Sequence, residues 1–308
     1  MPLRLEQLRY FVAVAEEEQL TRAAQRLHLA QPALSKAISQ LEGDLGVELF
    51  ARQARGVALT PAGDAFLAKA RIALAATDDA VWTAERLARA ARGTMRVGFI
   101  GPPPPLNAPE LFAVFADTHP EAEISFHALS FPITPTDAWL EDVDVAFCHP
   151  PAVGSDVSVQ PFRAEPRVLV APSDHPLASR GEVPVTDVLD ETYISYHPTV
   201  QSAWAGFHSL DDHRGEPAPN MTRDHVRTPL EILAVMSSRR GVTALPACDA
   251  AIVERALPGT VGLPLQGADE AVLSLVWRTE NTGPLLEALV SLAERLFEGS
   301  RERRELRT

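Results

Sequence analysis

The spacing of the apolar residues changes near Gly93, and this change constrains the fold more than any other feature of the sequence. Before Gly93, apolar residues recur at helical spacing; after it, short strand-like runs alternate with helical ones. A chain of 308 residues is long enough for two or more domains. Its 46% hydrophobic and 22% charged residues are typical of a globular protein. The pattern therefore predicts an all-α N-terminal region followed by an α/β region.

The beginning of the chain predicts three helices, with a three-residue turn between the second and the third. The first helix should end at the acidic run 16–18, because acidic side chains at a helix C-terminus oppose the helix dipole. Thr21 is suited to cap the second helix, and Gln31 with Pro32 opens the third, which ends at Gly46. Two helices joined by so short a turn predict a helix-turn-helix.

The face of the third helix opposite its apolar stripe indicates a DNA-binding surface. This face carries small polar groups and one cation: Gln31, Ser35, Lys36 and Ser39. Short polar side chains suit base edges in a major groove, and cations suit phosphates. Residues 47–59 then predict a β-hairpin, a wing with Arg52 and Arg55 near its tip. A three-helix bundle with a solvated polar face is the alternative.

A long helix is predicted next, from Pro61 to Arg92. About 30 residues at 1.5 Å each make about 45 Å of helix, which is longer than a small core can cover. A stripe of small and apolar residues runs along it: Phe66, Ala70, Ala73, Thr77, Val81, Ala84, Leu87 and Ala88. The stripe predicts a close partner helix and hence a homodimer, and packing along its own domain is the alternative.

The charge is distributed unevenly along the chain. Its net value of −13 argues against a nucleic-acid partner, but residues 1–92 carry 12 Lys and Arg against 11 Asp and Glu. A polyanion such as DNA is therefore compatible with residues 1–92 but not with the acidic remainder of the chain. The two cysteines cannot form a disulfide framework, and the sequence has neither a membrane-spanning run nor a signal peptide. We therefore expect a cytoplasmic protein.

After residue 93 the pattern predicts a doubly wound α/β domain whose second lobe begins near Arg167. Strands are expected at 95–100, 124–129, 143–148, 167–172, 193–196, 242–245, 261–265 and 272–277. Helices are expected at 106–118, 230–238, 249–255 and 285–297, followed by a frayed tail at 301–308. The segments 272–277 and 285–297 should return to the first lobe.

Ligands of such sheets lie beyond the C-terminal ends of the strands, against helix N-termini. Eight residues occupy candidate positions of this kind: Gly101, Pro102, Ser130, Phe131, Tyr196, His197, Arg227 and Thr228. Arg227 could pair with a carboxylate effector. For His197 an ordinary loop histidine is the alternative, and for Thr228 a helix cap.

The sequence contains none of the short motifs G-x-G-x-x-G, G-x-x-x-x-G-K-[ST], H-E-x-x-H or G-x-S-x-G, so we expect no enzymatic activity and no cofactor. The polar stretch 208–213 predicts a solvated loop rather than a metal site. Cys148 and Cys248 lie in or beside apolar segments, which predicts buried inert thiols, with a redox-sensing pair as the alternative.

Three segments carry a resemblance to a known family: LRYFVAVAEE, LTRAAQRLHLAQPALSKAISQLEGDLGVELFAR and LTPAGDAFL. Over roughly residues 5–67 the chain closely resembles LysR-type transcriptional regulators. The resemblance implies an all-α winged helix-turn-helix N-terminal domain plus a long linker helix, followed by a two-lobed α/β, periplasmic-binding-protein-like effector domain. It implies a sequence-specific regulator of double-stranded promoter DNA, gated by a small molecule in the interlobe cleft and assembled as a homodimer or homotetramer.

The resemblance also assigns positions. The recognition helix corresponds to residues 31–44, and the DNA-binding residues would be Thr21, Gln31, Pro32, Ser35, Lys36, Ser39, Arg52 and Arg55. The implied domains are 1–60 for DNA binding, 61–92 for linking and dimerisation, and 93–300 for the effector. Lobe 1 would comprise about 94–163 and 268–298, and lobe 2 about 164–267.

Two departures from the family pattern matter. Ala30 stands where the family commonly has Ser or Thr, so a capping or phosphate-binding hydroxyl is missing, which predicts lower affinity or a different preferred site. The prolines at 102–105 supply no N–H, so the pocket should bind anions less well and be more apolar. A C-terminal domain that only oligomerises is the alternative function, and a solute-binding α/β protein is a further one.

Overall fold

The computed structural model describes residues 3–53, 56–101, 108–132, 140–149, 156–238 and 240–305. Its contacts divide the chain into two units, one up to Glu85 and one from Arg86 onward. Within these ranges we find no helix with the length and apolar character needed to span a bilayer.

The N-terminal unit is a three-helix domain with a β-hairpin. Its helices are α1 (Leu5–Glu17), α2 (Leu20–Arg26) and α3 (Gln31–Leu45). They pack around Phe11, Leu34 and Leu41, none of which is exposed to solvent. The predicted helix-turn-helix is confirmed, and Gly46 ends α3 in the left-handed conformation, at φ 70°.

The predicted cap of α2 is wrong. The helix begins at Leu20, and its cap position is occupied by Gln19. Thr21 therefore lies inside the first turn, one residue too late to cap the helix, and its side chain is exposed.

The predicted wing is an antiparallel hairpin that is held against the recognition helix. Its strands are β1 (Phe50–Gln53) and β2 (Gly56–Leu59). Glu42 of α3 accepts hydrogen bonds from the backbone N–H groups of Leu49 (2.8 Å) and Phe50 (3.0 Å). Gly56 passes so close to the carbonyl oxygen of Glu18 that a Cβ atom would overlap it, which explains the glycine.

A single helix, α4 (Pro61–Ala91), follows the hairpin. The hydroxyl of Thr60 accepts a hydrogen bond from the N–H of Gly63 at 3.0 Å and donates one to the carbonyl of Glu48 at 2.8 Å. The start of the long helix is thus capped and joined to the segment just before β1.

The apolar stripe of α4 divides into two parts. Ala70 is buried in the N-terminal core, and Phe66 and Ala73 pack against the same core. For this part, packing along its own domain is the correct interpretation. Further along, Val81 is 56% exposed and Leu87 is 55% exposed.

The C-terminal unit alternates strands and helices. Its strands are β3 (Thr94–Phe99), β4 (Glu123–Ala128), β5 (Val145–Cys148), β6 (Val157–Glu165), β7 (Arg167–Pro172), β8 (Val183–Pro184), β9 (Tyr193–Tyr196), β10 (Met221–Val226), β11 (Thr243–Pro246), β12 (Thr260–Gln266) and β13 (Ala271–Arg278). Its helices are α5 (Pro109–Thr118), α6 (Ser202–Ser209), α7 (Asp211–Arg214), α8 (Pro229–Ser237), α9 (Ala247–Ala256) and α10 (Pro284–Glu305).

Two larger sheets define two lobes. The sheet of lobe 1 has the strand order β4-β3-β5-β13-β6, and the sheet of lobe 2 has the order β11-β7-β12-β8, while β10 and β9 form a separate parallel pair. β3 pairs parallel with β4 and β5, whereas β13 pairs antiparallel with β5 and β6. The chain crosses between the lobes at Pro166 and returns at 267–270, so β13 and α10 belong to lobe 1, as predicted. The two-lobed α/β architecture is confirmed.

Some elements were not predicted. The sequence analysis missed β6, β10, α6 and α7, and the predicted loop at 208–213 is wrong because α6 continues to Ser209 and α7 begins at Asp211. The predicted fraying of 301–308 is wrong for 301–305, because α10 continues to Glu305, and residues 306–308 lie outside the described residues. The residues there, RERRE, all have a high helix propensity.

Candidate functional sites

The first turns of α3 present the predicted DNA-facing residues to solvent. Gln31, Pro32, Lys36 and Ser39 are exposed, and Ser35 is half-buried. The opposite face of the helix packs into the core of the domain, so this polar face remains on the surface.

The cations around this surface differ in whether a carboxylate already neutralises them. Arg22 and Arg26 are paired with the acidic end of α1, at 2.9 Å and 2.8 Å. Among the described residues, the exposed side chains of Lys36 and Arg52 have no hydrogen-bond or ion-pair partner. Their positive charge is therefore available to a phosphate. Arg55 lies outside the described residues.

The N-terminus of α3 lacks a side-chain cap. Ala30 occupies the cap position, and no side chain accepts a hydrogen bond from the first turn. Helix N-termini carry unsatisfied N–H groups and a partial positive charge, so the first turn of α3 can donate to a phosphate oxygen, although Ala30 supplies no hydroxyl that would add to this contact.

A cavity of about 310 Å³ lies between elements of the two lobes. Gly101 and His149 line it from the ends of the lobe 1 strands β3 and β5, and Leu245 and Asp249 line it from β11 and α9 of lobe 2. Most of the remaining wall is apolar. The volume suits one small molecule.

Two polar groups in the cavity wall have no partner among the described residues. The Nδ1 atom of His208 lies 2.9 Å from the carbonyl oxygen of Ala244 and must donate to it, so Nε2 carries a lone pair. Burial lowers the pKa of His208 to about 4, so the ring is neutral at pH 7. The indole N–H of Trp204 is likewise unpartnered. Both residues line the cavity, but these two atoms themselves are buried.

Some predicted pocket residues lie at this cavity. Gly101 and Phe131 line it. Tyr196 does not appear among the described lining residues, but its ring contacts that of Phe131, with centroids 5.3 Å apart, and stacks on His208. Pro102 lies outside the described residues.

The other predicted residues form a neighbouring surface group and do not appear in the described cavity wall. Arg227 is exposed, its guanidinium contacts the ring of His197, and its backbone N–H donates to Glu231 at 2.6 Å. The hydroxyl of Thr228 accepts from the N–H of Glu231 at 3.3 Å, so Thr228 caps α8. Ser130 is exposed.

Sequence reasoning missed a polar cluster beside the cavity, where the chain crosses between the lobes. This junction cluster consists of His149, Glu165, Cys248 and Asp249. The Oε1 atom of Glu165 lies 3.0 Å from Nε2 of His149 and 3.3 Å from Sγ of Cys248, and that sulfur lies 3.1 Å from Oδ1 of Asp249. The strand-end rule could have included His149, which follows β5, and also Cys248 and Asp249, which follow β11 in the first turn of α9.

Burial and hydrogen bonding set the protonation of the junction cluster. Burial raises the pKa of Glu165, but hydrogen bonds from His149 and Cys248 outweigh this effect and lower the pKa to about 2. Burial, with the charges of Asp249 and Glu165, raises the pKa of Cys248, and burial also raises that of Asp249. Without a bound ion, Cys248 is a neutral thiol at pH 7 and Glu165 is ionised.

Two family models match the chain. A bacterial regulatory helix-turn-helix model of the lysR family matches residues 5–64, and a LysR substrate binding domain matches residues 88–298. The second match alone covers more than half of the chain.

The chain is also similar to individual regulators over most of its length. It is 27% identical to the transcriptional regulator AlsR of Bacillus subtilis over 94% of this chain and 95% of AlsR. It is 32% identical to the regulator YnfL of Escherichia coli over 80% of this chain and 83% of YnfL. The solved structure of CbnR, a LysR family transcriptional regulator, matches with a TM-score of 0.59 at 24% identity, covering 96% of this chain and 99% of CbnR.

Proposed function

The chain belongs to the LysR family of bacterial transcriptional regulators, and on that premise we propose which residues contact DNA and which hold the small molecule. The chain is a DNA-binding transcriptional regulator with a substrate-binding domain, and its relatives are regulators rather than enzymes. LysR regulators bind promoter DNA and small-molecule effectors, and they form oligomers.

In the proposed complex, the N-terminal end of α3 lies in the major groove. Four side chains contact base edges: Gln31, Pro32, Ser35 and Ser39. Four contact the phosphate backbone: Thr21, Lys36, Arg52 and Arg55. The observation that carries this assignment is the exposed polar face of α3 with the unpaired cations Lys36 and Arg52, beside arginines that carboxylates already neutralise.

A binding measurement with the full chain tests the assignment. Fluorescence anisotropy on the duplex upstream of the chain's own gene, from about 50 to 200 mM salt, should show salt-dependent specific binding. Lys36→Glu should weaken that binding at least about a hundredfold, since it removes a phosphate contact and adds repulsion. Lys69→Glu makes the same charge change at an exposed position on α4 and should have a much smaller effect. Equal affinities of the two variants would contradict the placement of the recognition helix.

The cavity between the lobes is the proposed effector site. Its described wall contains no lysine or arginine and includes the carboxyl group of Asp249, so a carboxylate effector would meet no cation there. We therefore propose a mostly apolar, uncharged small molecule that contacts the rings of His208 and Trp204 in the cavity wall. Such a ligand regulates only if it binds two arrangements of the lobes with different affinity.

The remaining assignments follow from the same premise. We propose that residues 1–60 bind DNA, 61–92 link and dimerise, and 93–300 hold the effector between lobe 1 (about 94–163 and 268–298) and lobe 2 (about 164–267). The exposed residues Val81 and Leu87 of α4 support a helix–helix contact with a second copy. A regulator of this kind acts in the cytoplasm, where bacterial promoter DNA is found.

A further inference from the structure

We propose that the junction cluster binds a divalent transition-metal ion, with Zn²⁺ as the best match. This inference rests on the side chains at the lobe junction and does not depend on the DNA or effector assignments. Neither the family models nor the relatives described above assign a metal to this position.

The spacing of the donor atoms fits a metal site. One donor atom each from His149, Glu165 and Cys248 lies within 4.8 Å of the other two. Bonds of about 2.0–2.3 Å in a tetrahedral site place neighbouring ligand atoms about 3.3–3.8 Å apart. The Glu165 oxygen already lies 3.0 Å from the His149 nitrogen and 3.3 Å from the Cys248 sulfur, so an ion requires only small outward shifts.

The donor types select the class of ion. An imidazole nitrogen, a thiolate sulfur and a carboxylate oxygen together suit Zn²⁺, whereas Ca²⁺ and Mg²⁺ prefer shells made of oxygen alone. Metal binding converts the Cys248 thiol to a thiolate and releases its proton to solvent. Three protein ligands leave the fourth position of a tetrahedral ion to a water molecule.

The surroundings supply what a metal site needs beyond its ligands. The backbone N–H of Cys248 donates to Oε2 of Glu165 at 2.7 Å, which leaves Oε1 directed at the cluster. Arg163 lies 3.5 Å from the same Oε1 and balances part of the negative charge. His149 and Asp249 line the cavity, so an ion can enter from that side.

A metal at this position would connect the lobes. His149 follows β5 of lobe 1, Glu165 is the last residue before the crossover, and Cys248 and Asp249 begin α9 of lobe 2. Bonds to one ion would therefore restrict the movement of one lobe against the other. This coupling is the reason to expect an effect of metal on the stability of the whole C-terminal unit.

Cobalt titration of the chelator-treated full chain tests the proposal, because Co²⁺ replaces Zn²⁺ and reports its ligands by absorption. We expect one equivalent to bind, with a thiolate-to-cobalt charge-transfer band and the visible bands of a tetrahedral ion, and we expect Zn²⁺ to displace it. Cys248→Ser should abolish the charge-transfer band. Cys148→Ala, which removes the buried thiol outside the cluster, should retain it.

A second variant keeps the test informative if Cys248→Ser fails to fold. His149→Gln leaves Cys248 in place and should weaken Co²⁺ binding at least about tenfold, with an unchanged circular dichroism spectrum. The absence of stoichiometric Co²⁺ binding by the unaltered chain would overturn the proposal. A charge-transfer band that persists in Cys248→Ser, or that disappears in Cys148→Ala, would also overturn it. The cobalt titration does not depend on promoter binding, so its outcome is independent of the test of the DNA-binding residues.

Discussion

The guanidinium group of Arg89 lies 3.0 Å from the carboxylate of Asp144, and the two side chains are only 7% and 8% exposed. The second carboxylate oxygen of Asp144 accepts a hydrogen bond from the backbone N–H of Arg96 at 2.7 Å. Arg89 lies in the last turns of α4, and Arg96 lies in β3 of lobe 1. The buried ion pair therefore joins the end of the long helix to the sheet of lobe 1, so a displacement of that sheet must move the end of α4 with it.

Asp144→Asn should destabilise the C-terminal unit by about 3–5 kcal/mol, because it removes the carboxylate charge from a buried ion pair. The matched control is Asp187→Asn, which breaks the exposed pair between Asp187 and Arg180 (2.9 Å) and should cost at most about 1 kcal/mol. Chemical denaturation monitored by circular dichroism measures both. Equal losses in the two variants would show that the buried pair contributes no more than a surface pair.

Most helices and strands, and the exposed polar face of α3, could be predicted from the sequence because they depend on short-range patterns. The apolar stripe of α3 implies its polar face without any tertiary information, and glycine marks its end. β6 was missed because it contains Pro161 and has no strict alternation of apolar and polar residues. β10, with the sequence MTRDHV, was missed because its residues are mostly polar.

The interlobe sites could be predicted only in part. The strand-end rule placed Gly101 and Phe131 at a ligand cavity, but it contains no information on where a side chain points. Arg227 follows a strand and still turns away to contact His197 on the surface. Three members of the junction cluster lie just beyond strand ends, but the meeting of these residues with Glu165 is a long-range contact that local patterns do not predict.

Ala30→Ser should restore a side-chain cap to the recognition helix. A serine hydroxyl at this position can accept a hydrogen bond from the first turn of α3, which should stabilise the N-terminal unit by about 1 kcal/mol and tighten promoter binding. Ala33→Ser, within the first turn and equally exposed, adds the same hydroxyl without a cap and should give no gain. Thermal unfolding and anisotropy at one fixed salt concentration measure the two effects. A stability gain in Ala33→Ser alone would contradict the capping argument.

Val81→Asp should weaken self-association, because it places a charge on the exposed apolar part of the α4 stripe that we assign to the dimer. The control is Ile72→Asp, which introduces the same charge at another exposed apolar position of α4, outside the stripe. Sedimentation velocity of the full chain should show at least a tenfold weaker dimer for Val81→Asp only. If Ile72→Asp dissociates the dimer and Val81→Asp does not, the interface lies on the opposite face of the helix.

The buried His208 should make stability depend on pH in a defined window. Its pKa is about 4 in the folded chain, below the ordinary value of 6.5, because burial disfavours the charged ring. The unfolded chain therefore binds the proton more tightly, so the contribution of His208 to stability is complete above pH 6.5 and is lost as the pH falls toward 4. A shift of this size corresponds to about 3 kcal/mol. His208→Asn, which can keep a donor for the carbonyl of Ala244, should flatten the fall in unfolding free energy between pH 7 and 4. His225→Asn changes an exposed histidine and should leave that fall unchanged. Identical pH profiles for the unaltered chain and both variants would show that His208 has the same pKa in the folded and the unfolded chain.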